Sequence, residues 1–96
     1  MSPDKKKKLH ILRKKLDNLD EKLIKLIKIR TNIVNNVLEL KTYKYEIVDK
    51  KRISKILENI KNKSIKNKVD PKITYRIWKN MISAYIDFER RNFKKK

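Results

Sequence analysis

The chain has no cysteine, no glycine, two prolines and one histidine in 96 residues. Without cysteine there is no disulfide and no thiolate metal site. His10 alone cannot build a metal centre. Long apolar runs are missing too. None approaches the ~20 residues of a membrane span. The Lys5–Lys8 run is not followed by the apolar stretch of a signal peptide. The expectation is a soluble cytoplasmic protein with no membrane partner. Acidic residues are scarce, and the net charge is +18. A basic helical nucleic-acid-binding protein is one reading of that charge. The lysines, however, are scattered over every outer face, and the many Lys, Ile and Asn residues point to compositional drift. No nucleic-acid partner is expected. The six arginines (Arg13, Arg30, Arg52, Arg76, Arg90 and Arg91) are the more telling cations.

What is present is helical periodicity. Leu9, Leu12, Leu16, Leu19, Leu23, Leu26, Arg30, Ile33, Val37 and Leu40 follow one another in steps of three and four. That is the seam of a helix packed on other helices. Neither glycine nor proline interrupts residues 4–41, so one long helix is expected there, ~57 Å at 1.5 Å per residue. Thr42–Val48 is a poor helix former and reads as a loop. A second helix over about 49–63 starts at Asp49 as N-cap, and Asn62–Lys68 reads as a second loop. A third helix over about 70–91 starts at Asp70-Pro71, a cap followed by proline in the first turn. The basic segment 92–96 is expected to fray. The fold class is all-α: one long and two shorter helices in a single domain spanning 1–96. The apolar stripe of the long helix exceeds what two short helices can hide, so a homodimer is expected.

Arg30 breaks that seam. A buried guanidinium without an anionic partner costs several kcal/mol. A carboxylate, of the protein or of a ligand, is therefore expected beside it. Fixing dimer register or snorkelling to water are the alternatives for this position. Lys41 lies eleven residues on, nearly the same angle around the helix and ~16 Å along it. The two cations leave room for one small anionic ligand. Lys41 also suits the negative end of the helix dipole. Arg13 is ~25 Å before Arg30 along the helix, so it reaches such a site only from the partner helix of a dimer. Its alternative is a solvated pair with Asp17. On the third helix Trp78, Ile82, Tyr85 and Glu89 share one stripe. Glu89 thus ends an apolar face, either as a surface carboxylate or as a carboxyl facing the cations. In its protonated form it can donate a hydrogen bond to a substrate oxygen, which a carboxylate cannot.

These residues in this order resemble the AroQ-type, all-helical chorismate mutase family. "LRKKLDNLDEKLIKLIKIR" is similar to the family's opening signature and supplies Arg13, Asp17, Asp20 and Arg30. "LELK" supplies Lys41, "VDKKR" supplies Arg52, and "VDPKITYRIWKNMISAYIDFE" is similar to its third helix, with Glu89 where many members carry Gln. The resemblance covers Leu12 to about Glu89. It implies an intertwined homodimer with two sites, each built from both chains. It implies that Arg13, Arg30 and Arg52 bind the carboxylates and nearby oxygens of chorismate, and that Lys41 and Glu89 contact its ether oxygen. The expected catalytic residues are Lys41, Glu89 and Arg30; Arg13, Arg52 and Tyr85 complete the substrate site. No cofactor and no metal are implied, because the rearrangement to prephenate is pericyclic.

Three features resemble a sister activity instead, isochorismate-pyruvate lyase. Ile53 follows Arg52 where mutases carry a Glu that contacts the substrate hydroxyl. The segment between Lys41 and Arg52 is one residue shorter than in common mutases. Tyr85 stands where many carry a small hydroxyl residue. Glu89 departs from the lyase pattern, which has Gln. An aminodeoxychorismate mutase is a further alternative on the same fold.

Overall fold

The computed structural model describes residues 1–95. Three α-helices and one short 3-10 helix account for most of it: α1 (Pro3–Leu40), the 3-10 helix Lys44–Ile47, α2 (Lys50–Lys66) and α3 (Pro71–Asn92). No strand occurs among the described residues. None of the helices is long and apolar enough to cross a membrane.

The starts of α2 and α3 follow from their caps. Asp49 Oδ1 accepts from the Arg52 amide at 3.0 Å. Asp70 Oδ1 accepts from the Lys72 amide at 2.9 Å, with Pro71 at the first helical position, where its missing N–H is not needed. The end of α2 differs from expectation. The helix continues to Lys66 rather than fading near residue 63. Ser64 explains the extra turn. It is buried, its hydroxyl donates to the Ile60 carbonyl at 2.6 Å, and it meets the Thr74 hydroxyl of α3 at 2.7 Å. The helix then closes on Lys68 at φ 57°. The Val69 amide bonds to the Ser64 carbonyl (2.8 Å) and the Lys68 amide to the Ile65 carbonyl (3.1 Å). This is a Schellman closure with lysine in the left-handed position that glycine fills at least cost. The segment expected as a loop after α1 holds the 3-10 helix, and Tyr43 and Tyr45 stack there at 5.4 Å.

The chain divides into two compact units, Met1–Ile33 and Val34–Lys96. The first is a single length of α1. Its stripe stands open: Leu12, Leu16, Leu19, Leu23, Leu26 and Ile33 are each 53–61% exposed. Arg30, expected in a dry interior, is half-buried and engaged in a contact. The second unit holds the last turns of α1, the 3-10 helix, α2 and α3. Its small core centres on Leu38 and Ile47, both buried. Ile53, Ile56, Leu57 and Ile60 of α2 are half-buried, as are Trp78, Met81, Ile82, Tyr85, Ile86 and Phe88 of α3. Ile73 and Ile77, read as part of the apolar face of α3, are exposed. Residues 93–95 follow α3 without regular secondary structure; Phe93 is half-buried and Lys95 hydrogen-bonds to the end of α1. The last residue of the basic segment, Lys96, lies outside the described residues.

Candidate active site

The site is built where α1 ends beside α3. The apolar face of α3 faces its own unit, and Glu89 continues that face near the end of the helix. Its side chain is 9% exposed. A carboxyl so covered needs a donor. Lys41 supplies it, its Nζ donating to Glu89 Oε1 at 2.9 Å from a side chain 18% exposed. The pair is charge-assisted and short. An ammonium has three N–H donors, and the bond to Glu89 uses one of them. Tyr85 lies one turn before Glu89, half-buried, its ring edge-on to Phe88 with centroids 6.3 Å apart.

The other expected site residues fall as follows. Arg52 is in the first turn of α2, its side chain exposed. Ile53 beside it is half-buried. Arg13 is exposed and Arg30 half-buried on α1. Arg13 and Arg30 belong to the first unit, and Lys41, Arg52, Tyr85 and Glu89 to the second. Lys41 and Glu89 are thus brought into direct contact across 48 residues of sequence.

Two residues near Lys41 escaped the sequence reading. The Thr42 amide donates to Glu46 Oε2 at 2.9 Å, and Lys95 Nζ donates to the Lys41 carbonyl at 2.8 Å. A glutamate six residues after the end of α1, and four after Thr42, was a visible signal for the first. Nothing in the sequence marks Lys95 out from the lysines around it.

The described chain is thus an all-helical scaffold that carries a covered lysine–carboxylate pair where α1 ends beside α3. The chain belongs to the type II chorismate mutase family: the family model "Chorismate mutase type II" matches residues 12–90. This is a family of isomerases. No curated protein and no solved structure matches the chain.

Proposed function

We propose that the chain is a chorismate mutase, converting chorismate to prephenate in aromatic amino acid biosynthesis in the cytoplasm, and working as an intertwined homodimer. The observation that carries this reading is the Lys41–Glu89 pair, 2.9 Å apart and largely covered, inside the stretch that matches the family. The reaction breaks one C–O bond and forms one C–C bond in a single pericyclic step. No nucleophile is needed and no proton must move. The catalyst holds the compact conformer and stabilises the negative charge that grows on the ether oxygen. The Lys41 ammonium suits that oxygen. Glu89 holds that ammonium in place by accepting from it. Arg30 and Arg52, with Arg13 from the partner subunit, take the two carboxylates through bidentate forks.

The dimer is supported by the open stripe on α1. Side chains such as Leu16 and Leu23, more than half exposed in one chain, are stabilised when a second copy covers them. Once covered, the stripe places Arg30 in an environment where a dicarboxylate is its natural partner.

Ile53 and Tyr85 favour a second reading, isochorismate-pyruvate lyase. An apolar side chain follows Arg52 where a carboxylate would meet a substrate hydroxyl. The purified protein is given chorismate and isochorismate separately. Prephenate from chorismate is the expected product. Salicylate plus pyruvate from isochorismate, with chorismate untouched, would replace the mutase reading. Turnover of neither would end both.

A further inference from the structure

α1 closes with one tightened backbone bond, the Lys41 amide to the Leu38 carbonyl at 3.0 Å, and without a glycine or basic-residue cap. Its last turn holds no basic residue, and the chain has no glycine for a left-handed cap. The terminal carbonyls still carry the negative end of the dipole and need donors. Lys95 supplies them from more than fifty residues away, its Nζ reaching the Glu39 carbonyl at 2.5 Å and the Lys41 carbonyl at 2.8 Å. The backbone makes this possible. Phe93 leaves α3 in an extended conformation (φ −70°, ψ 119°), and Phe93, Lys94 and Lys95 line one cavity together with Asn35, Leu38 and Glu39.

One peptide group collects these bonds. The Lys41 carbonyl and the Thr42 amide are the two polar ends of the same planar unit. The carbonyl accepts from the Lys95 ammonium, and the amide donates to the Glu46 carboxylate at 2.9 Å. A cation on the oxygen and an anion on the N–H both complement the peptide dipole, and bonds to charged groups are stronger than neutral ones. Lys41 is therefore held twice: at its backbone by Lys95 and Glu46, and at its ammonium by Glu89. The residue stands just past the last helical position, where a chain otherwise has the most freedom to swing.

We propose that Lys95 and Glu46 are positioning residues that grip the peptide between Lys41 and Thr42 and so aim the Lys41 ammonium at the reacting oxygen. The role rests on the mutase reading above. A group aimed at charge that grows only in the transition state affects kcat more than KM. Misplacement on the 1 Å scale is enough to cost up to about a hundredfold.

The test uses the full chain. Lys-Thr occurs at a single place in the sequence, 41–42. Labelling lysine carbonyls with carbon-13 and threonine amides with nitrogen-15 therefore isolates one signal, that of this peptide. Lys95→Met and Glu46→Gln are each expected to shift that signal, speed its amide exchange, and lower kcat about ten- to a hundredfold with KM within about twofold. Lys95→Arg, which keeps the charge and donors, restores most of kcat. A residue that only added stability would lower the melting temperature and leave kcat unchanged well below it. An unmoved signal in Lys95→Met overturns the grip. A moved signal with unchanged kcat overturns the positioning role. A wild-type protein without mutase activity overturns the reading beneath it, and the peptide signal then decides the grip alone.

Discussion

Lys41 Nζ donates to Glu89 Oε1 across 2.9 Å and thereby ties the end of α1 to the end of α3. Both side chains are largely withdrawn from water, so each has lost hydration that the other must replace. A pair of this kind is a weak source of net stability. Its cost is easier to understand as the requirement of a site that acts through charge.

That view gives a stability prediction. Glu89→Leu alone leaves the Lys41 ammonium covered and unpaired, and is expected to cost about 1–3 kcal/mol. The double change Lys41→Met with Glu89→Leu removes both charges and is expected to return stability to the parent value or to exceed it by about 1–4 kcal/mol. Urea unfolding at one protein concentration measures both. Neither variant is expected to turn over chorismate.

A second prediction concerns the group at position 89. Glu89 accepts from Lys41, whereas the reaction benefits from a neutral donor at the ether oxygen. Glu89→Gln supplies such a donor and is expected to retain or raise kcat/KM at neutral pH, whereas Glu89→Leu is expected to abolish turnover. A Gln variant as inactive as the Leu variant would remove position 89 from that role.

A third prediction concerns the sharing of sites. Arg13→Ala and Arg30→Ala homodimers are each expected to lose activity by about a hundredfold or more. Unfolded together and refolded as a mixture, they form heterodimers. One of the two sites in each heterodimer then lacks both arginines and the other has both. Recovery of about half the parental activity per heterodimer is expected from steady-state assays. No recovery would confine the site to one chain.

A fourth prediction concerns Lys68. Its left-handed backbone, φ 57°, closes α2. A side chain with a Cβ is disfavoured there by about 1 kcal/mol, part of which glycine returns to the unfolded chain as entropy. Lys68→Gly is expected to stabilise the protein by up to about 1 kcal/mol in thermal unfolding and to leave activity unchanged.

The helices were legible because their signals are local. Asp49 and Asp70 announced α2 and α3, and the unbroken three-four spacing announced α1 within a residue at either end. The end of α2 was not legible. Ser64 looks polar in sequence, yet it is buried against Thr74, and only packing between helices reveals the use of its hydroxyl. Lys68 was hidden for another reason: with no glycine in the chain, the residue that usually marks a left-handed cap was missing. At the site, Glu89 stood out because a carboxylate on an apolar stripe breaks a pattern. Lys95 broke none, being one cation in a lysine-rich segment, and its partners are backbone carbonyls that no side-chain pattern encodes.

The open stripe along the first 33 residues has a kinetic side. In the dimer proposed above, a helical segment with no second layer of its own draws its persistence from association, and association obeys mass action. On that reading dilution is expected to act as an inhibitor in its own right. Backbone amides around Leu16 and Leu23 are expected to exchange with solvent faster as the protein is thinned out, while those near Leu38 and Ile47 hold their protection.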